Sequence, residues 1–438
     1  MAQYRTDKNE YLPNGSSLHE TSLPVHTDGR TVTTTNPYDQ PVIRVDDGTV
    51  QHTSRNRRKV STSEQIFFNT FQYDKDPAVW DEETTGTASA AFDPFQGGVI
   101  LEVGGSAGDE VVRQTRNVIQ YIPGRQNEAM FAVRLNSPAE GVRRRFGLFD
   151  DSNGFYFEDG GDGNYYVVLR SNTLSGPEET RVARENWNVD KLDGTGPSGI
   201  DADPTKMQMV TMEYEWFGAG IVEFKWIYNN NAYPIHRFAA ANVVELPWSN
   251  TPFLPARFEM TNVTGAAGTH QILQGSTSVS SEGARGPLGR EENASLPVGG
   301  RTLASKEQFY PVLSIRLRSD RLNGVAIPTE VQAATLDNTA IYYKIIRDAT
   351  LTGANWQDVG TTSFCEYDYE ATSYTGGSVI QTGFLAAGNN QTIQFPEEVL
   401  LQLSRNNMGT EGQNFTIAIA CVSASKNAFA SLSWVEIR

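Results

Sequence analysis

Lys206 to Tyr228 reads KMQMVTMEYEWFGAGIVEFKWIY. Along its first half Val210, Met212, Tyr214 and Trp216 share one face, joined by Gln208, while Met207, Met209, Thr211, Glu213 and Glu215 share the other. Along its second half Val222, Phe224, Trp226 and Tyr228 alternate with Glu223 and Lys225. A period of two is the side-chain repeat of a strand; on a helix it would scatter these aromatics around the whole circumference. Between the halves, Gly218-Ala219-Gly220 supplies the backbone freedom of a tight turn. The stretch therefore reads as a hairpin with one heavy apolar face, the central piece of a large antiparallel sheet.

The pattern continues on both sides. Strands are expected at 65–73, 88–92, 98–103, 111–120, 130–135, 143–149, 154–158, 165–170, 180–183, 233–238, 257–262 and 270–279. Turns such as Asp151-Ser152-Asn153-Gly154 and Asp159-Gly160-Gly161-Asp162-Gly163 separate them. Helical periodicity is nearly absent, with one short turn expected at 239–243. Many strands at even spacing point to a two-sheet sandwich or jelly roll over residues 61–284. Residues 285–305, RGPLGREENASLPVGGRTLAS, are rich in Gly, Pro and charge and read as a linker. A second, smaller β-domain is expected over 306–438, with strands at 310–317, 340–347, 377–384, 415–423 and 428–437.

Residues 1–60 carry almost no apolar periodicity, which argues against a core of their own. Two readings stand side by side: a disordered tail, and an extended arm that orders on a neighbouring subunit. Gln40, Pro41, Val42, Ile43, Arg44 and Val45 are the β-capable piece that would add to another chain's sheet edge.

The 438 residues hold 36 Lys and Arg against 52 Asp and Glu, a formal net charge of -16. That balance speaks against gripping nucleic acid or an anionic membrane by non-specific electrostatics. No apolar stretch is long enough to span a bilayer. The first residues lack the apolar run of an export signal, so synthesis in a cytoplasm is expected. Two cysteines, Cys365 and Cys421, do not make a disulfide scaffold and are expected as buried free thiols.

Tests for chemistry give little. The five histidines, His19, His26, His52, His236 and His270, lack zinc-ligand spacing. Gly194 to Gly199 (GTGPSG) lacks the Lys-Ser/Thr of a phosphate loop. Glu213 and Glu215 share a strand face, and Glu223 stands across the hairpin. Paired carboxylates of this kind serve glycosidases, but solvent-facing Glu pairs on strands are common, and no catalytic residue is assigned. Asp150, Asp151 and Asn153, then Asp159 and Asp162, then Asp201 and Asp203 offer oxygen ligands for a structural calcium ion. None has a calcium-loop spacing, and turn formation explains them without metal, so no cofactor is expected. Trp216 and Trp226 read as core. Trp187 and Trp248 sit in loops, where they either anchor the loop, the safer reading, or serve as glycan contacts.

Longer motifs carry a resemblance. Ile119 to Arg125 (IQYIPGR), Arg143 to Glu158 (RRRFGLFDDSNGFYFE), Trp187 to Gly199 (WNVDKLDGTGPSG), the hairpin, and Pro247 to Gly265 (PWSNTPFLPARFEMTNVTG) resemble a family of tailed-phage virion proteins. That family is frequent in cyanophages and related marine phages with contractile tails. SVSSEGA, FYPVLSIRLR, DNTAIYYKIIRDATLTGANW and SKNAFASLSWVEIR extend the likeness over roughly residues 65–438. The resemblance implies a structural protein of the virion without an enzymatic activity, and it supplies no catalytic residues.

The expectation is an all-β chain: an extended N-terminal arm, a large jelly-roll sandwich of concanavalin-like form, and a smaller C-terminal β-sandwich. The expected role is a non-catalytic assembly subunit of a phage particle, favoured as a tail, baseplate or fibre-attachment component. It would bind other virion proteins and copies of itself. Two alternatives are a capsid decoration or vertex protein, and an adhesin for a host surface glycan.

Overall fold

The computed structural model describes residues 32–34, 43–45, 62–283, 289–335, 339–386, 391–395, 401–406, 409–423 and 425–437. The chain divides into two compact units, Met1–Ser61 and Thr62–Arg438. In the first, Ile43–Val45 pairs antiparallel with Val32–Thr34, Val45 opposite Val32. Part of the expected assembly segment thus has a strand partner within its own unit. Gln40, Pro41 and Val42 lie outside the described residues.

The second unit is all-β and holds two sandwiches. One sheet of the larger is seven-stranded, in the order Gly176–Ala183, Tyr165–Thr173, Gly154–Asp159, Val142–Phe149, Ala256–Asn262, Glu110–Thr115, Trp80–Thr85. The other is eight-stranded: Asn231–Ala239, Ile221–Tyr228, Gln208–Tyr214, Asn127–Arg134, His270–Glu282, Gly98–Val103 and Ser89–Asp93, with Ser63–Asn69 also pairing with His270–Glu282. The opening hairpin lies inside this sheet, Gln208–Tyr214 being flanked by Ile221–Tyr228 and Asn127–Arg134. Alternation is plain in Asn127–Arg134, where buried and half-buried residues alternate without a break. The inner faces meet in aromatic contacts: Phe131 lies 5.8 Å from Phe146 and from Phe258, Phe155 5.0 Å from Tyr214, and Phe157 5.6 Å from Trp226. Burying these large side chains, each of which removes some ~150–250 Å² from water, is the main force holding the sheets together.

The smaller sandwich packs a five-stranded sheet against a six-stranded one around a separate core that includes Leu313, Ile345, Ile417, Leu432 and Trp434. Cys365 and Cys421 are buried there as free thiols, as expected. The linker expected over 285–305 is corrected. Arg290–Ser295 and Arg301–Leu303 are strands, both paired to the long C-terminal strand Lys426–Ile437. Their Gly, Pro and charge content suits short edge strands as well as it suits a linker. The helical turn expected at 239–243 is a single turn, with the Val243 and Val244 N–H groups both bonding the Ala240 carbonyl, at 3.0 and 3.1 Å. Among the described residues the one helical element is the 3-10 turn Arg184–Asn186.

The sandwiches are joined by both apolar and polar contacts. Val118 and Phe253 of the first form a small core with Val325, Ile327 and Ile437 of the second. The Arg347 guanidinium donates to Asn117 Oδ1 (2.5 Å), the Gln402 carbonyl (2.9 Å) and Gln413 Oε1 (2.8 Å). Ser404 Oγ donates to the Arg116 carbonyl at 2.9 Å, and Arg405 pairs with Asp150.

Candidate functional site

The hairpin turn differs in detail from a plain Gly-Ala-Gly bend. The Gln208–Tyr214 strand ends before Glu215, whose N–H donates to the Ile221 carbonyl at 3.0 Å. Phe217 and Gly218 both take left-handed backbone, and the Gly220 N–H closes onto the Trp216 carbonyl at 2.7 Å. A β-carbon on Gly220 would fall 1.7 Å from the Glu215 carbonyl oxygen. Gly220→Ala is therefore expected to cost about 1–3 kcal/mol, the usual range for forced overpacking, read as a lowered midpoint in urea unfolding. A midpoint equal to wild type would show that the turn yields freely.

Val210, Met212, Tyr214, Val222, Phe224 and Trp226 enter the main core, as the alternation requires. Trp216 does not lie in the strand. It packs half-buried at the core's margin, its N–H bonded to the Tyr121 hydroxyl (3.0 Å) and its indole N–H to the Ser249 carbonyl (2.9 Å).

On the opposite face, register sets Glu128, Glu213, Glu223 and Arg237 side by side across neighbouring strands. These carboxylates do not face solvent: Glu213, Glu215 and Glu223 are 2%, 1% and 2% exposed. Lys225 stands between two of them, its Nζ 2.6 Å from Glu213 and 3.2 Å from Glu223. Gln126 donates to Glu213 at 2.5 Å, and Arg237 pairs with Glu223. A glycosidase needs its two carboxyl groups flanking a bound sugar, one of them able to give a proton. Carboxylates this deeply buried and tied to the sheet's own cations lie out of a sugar's reach.

Trp187 and Trp248 sit as loop anchors rather than as glycan contacts. Trp187 is 6% and Trp248 4% exposed. Trp187 packs edge-on to Phe157 at 6.0 Å and donates its indole N–H to the Val182 carbonyl at 3.1 Å. Trp248 packs edge-on to Phe155 at 5.8 Å. Both anchor loops onto the core, so neither presents a ring face to a sugar.

The acidic turns are occupied by their own backbone. Asp150 accepts from the Ser152 and Asn153 N–H groups at 2.7 and 2.9 Å. Asp162 accepts from the Asn164 N–H (3.0 Å) and the Tyr166 hydroxyl (2.6 Å), and Asp203 from the Thr205 N–H (3.0 Å) and hydroxyl (2.6 Å). Asp159 is paired with Arg144 at 2.5 Å. Apart from the Arg144 pair and the Tyr166 hydroxyl, these are turn-forming bonds. Among the described residues no group of three or more His, Cys, Asp or Glu is set to hold a metal ion.

The largest charged constellation was not singled out from the sequence. It covers the outer face of the seven-stranded sheet. Glu158, 0% exposed, takes Arg143 at 2.8 Å, Arg145 at 2.7 Å and Arg181. Arg145 reaches on to Glu259 at 2.5 Å, and Arg257 holds Glu259 at 2.8 Å. Beneath them lies a floor of Phe149, Tyr156 and Val168, with Tyr166 beside it. Arg145 and Arg170 lie 5.6 and 5.1 Å over the Tyr156 ring, Arg257 5.3 Å over Phe149, and Arg181 4.0 Å over Tyr166. Burial pushes the Tyr156 hydroxyl well above its usual range. The signal for this face was present in RRRF: Arg143 and Arg145 fall on the side opposite Phe146, so the strand carries charge away from the core. Arginine does not exchange protons near neutrality, so these fixed cations can stiffen a sheet and fix its outline.

Fold and site together define a two-sandwich β protein whose strand-borne charges are spent on one another. No family model matches the chain, and no curated protein does. Solved structures that share part of its layout include a glycoside hydrolase family 16 protein of Bacteroides ovatus in complex with a mixed-linkage glucan product (13% identity, 49% of this chain and 99% of that one, TM-score 0.32). Others are the Bacillus licheniformis β-glucanase (10%, 50% and 98%, TM-score 0.32) and an immunostimulatory antigen and pseudo β-1,3-glucanase of Mycobacterium tuberculosis (13%, 50% and 99%, TM-score 0.34). At these identities and scores the likeness lends this chain no activity, substrate or partner.

Proposed function

We propose that the protein is a non-catalytic structural subunit of a bacteriophage particle, located in the virion as a tail, baseplate or fibre-attachment component and bound to other virion proteins. The observation that carries the non-catalytic part is the burial of Glu213 and Glu223 against the shared Lys225. The hairpin that would bear a glycosidase's carboxylates is built as scaffold. The two sandwiches bonded through Arg347, Arg405 and the Val118–Phe253–Val325 core suit a part that transmits load rather than one that opens around a substrate. The virion part of the reading rests on the long sequence motifs that resemble tailed-phage structural proteins.

Two measurements test it. Electron cryo-microscopy of the intact particle should show density for the 62–438 unit on the tail. Density on the head would assign a decoration role instead, and absence of the chain from purified particles would overturn the reading. Incubation with mixed-linkage β-glucan should release no reducing ends above a Glu213→Gln control. Hydrolysis that this substitution abolishes would make the protein an enzyme.

A further inference from the structure

A sheet ends on strands with one unpaired row of N–H and C=O groups, and stable proteins guard such edges with brevity, charge, proline or bulges. Nearly every edge in the second unit is guarded in this way. Gly176–Ala183 carries Pro177, Glu178, Glu179 and Arg181, and Trp80–Thr85 carries Asp81, Glu82 and Glu83. Asn231–Ala239 carries Pro234, Arg237 and a register shift, and Ser63–Asn69 carries Glu64. Ser89–Asp93 is five residues long and ends on an aspartate. Arg290–Ser295 opens on Arg290, Glu291 and Glu292; Gln391–Gln394 is four residues long, and Gln357–Asp358 two.

One edge differs. Ser378–Leu385, SVIQTGFL, closes the six-stranded sheet of the smaller sandwich and pairs, among the described residues, with Ile341–Arg347 alone. It is eight residues long, with neither charge nor proline. Its one irregularity sets Val379 and Phe384 outward, while Leu385 is buried in the core and Ile380 packs against it. The register shifts between Ile345 and Ile346, so that Val379 stands opposite Ile346 and Phe384 opposite Tyr342. Tyr342 and Ile346 point away from the core that holds Ile341, Tyr343 and Ile345. Val379 and Phe384 therefore share the outer face, 53% and 67% exposed, with Phe384 edge-on to Tyr342 at 4.1 Å.

We propose that Ser378–Leu385 is a homotypic docking edge, pairing antiparallel with the same strand of a second copy about a two-fold axis normal to the sheet. The occupant follows from the strand's own symmetry: with the shift at Ile380, Val379 and Phe384 stand equally far on either side of Thr382 on the exposed face. Ser378–Leu385 has no charge to oppose its own image. An isologous pairing also brings Val379 of each copy towards Phe384 of the other, covering both, and joins two six-stranded sheets into one continuous sheet. This inference goes beyond the virion assignment and stands or falls apart from it.

The test uses the full chain in sedimentation velocity over a range of concentrations, beside Val379→Lys/Phe384→Lys. Wild type should sediment as a dimer that dissociates on dilution, and the double variant as a monomer with an unchanged circular dichroism spectrum. A second variant guards against a misfolded first one. Thr382→Cys, near the expected axis, should give a disulfide-linked dimer under mild oxidation, and wild type should not, because Cys365 and Cys421 are buried. A monomeric wild type, or a dimer that survives the two lysines and leaves the Thr382→Cys variant unlinked, would overturn the proposal.

Discussion

Replacing Glu158 by Gln is expected to lower the unfolding free energy by about 3 kcal/mol or more, the cost of leaving buried cations without their counter-charge. Three arginines share this one carboxylate, and they differ in how well they tolerate its loss. Arg143 and Arg181 keep 28% and 33% of their side chains exposed and can turn to water. Arg145 keeps 10% and cannot, although Glu259 still holds it at 2.5 Å. The cost therefore falls at the lower end of the range for breaking a buried pair rather than at its top. Urea unfolding followed by intrinsic fluorescence gives the number, with Glu83→Gln on an exposed edge position as a control expected to stay within about 0.5 kcal/mol. A loss below about 1 kcal/mol for Glu158→Gln would mean that the lattice is a solvated surface array and not a buried network.

The same lattice shows what the sequence could and could not disclose. Strands with clean alternation were legible almost to the residue: Gly98–Val103, with Val99, Leu101 and Val103 buried, stands where period two set it. Strands that break the pattern were not. Trp80–Thr85, WDEETT, is an edge strand whose outward charges hide any apolar period. Val325–Thr335 contains Pro328, which ordinarily demotes a run to an edge. Here it is seated inside the five-stranded sheet at a register shift between Pro328 and Glu330, where the missing N–H leaves no gap in the ladder. Arg290–Ser295 and Arg301–Leu303 read as linker because their partner, Lys426–Ile437, lies more than a hundred residues away in sequence.

The candidate sites were legible as residue types but not as environments. Glu213 and Glu223 were placed on one face of the hairpin correctly. That the face would be closed depended on Lys225 reaching both and on Gln126 arriving from an adjacent segment, which no local pattern encodes. Trp187 and Trp248 lie in loops, as read, but a loop that folds back onto Phe157 and Phe155 buries its tryptophan as fully as a strand does. In each case the missing information is which distant element covers the residue.

Acid should weaken the protein through Glu259 before most of its surface carboxylates matter. Burial alone would raise this carboxyl, but Arg257 and Arg145, with Arg170 further off, outweigh it and hold it at about 2, down from 4.5. A group whose value is depressed in the folded state stabilises that state fully above its unfolded value and loses the contribution as pH falls towards its folded one. The window therefore opens near pH 4.5 and closes near 2. At about 1.4 kcal/mol per unit, the whole contribution is about 3 kcal/mol, of which about 2 should be gone by about pH 3. Urea unfolding at about pH 7, 5, 4 and 3 on wild type and Glu259→Gln separates this group from the other titrating carboxylates. The variant starts lower at neutral pH, because Arg145 and Arg257 lose a shared partner, but its stability should fall less steeply below about pH 5. Parallel curves for the two proteins would show that Glu259 titrates alike folded and unfolded. The ion pairs at 2.5 and 2.8 Å would then contribute no net stability, and the outer face of the seven-stranded sheet would owe its rigidity to the Phe149 and Tyr156 floor beneath them.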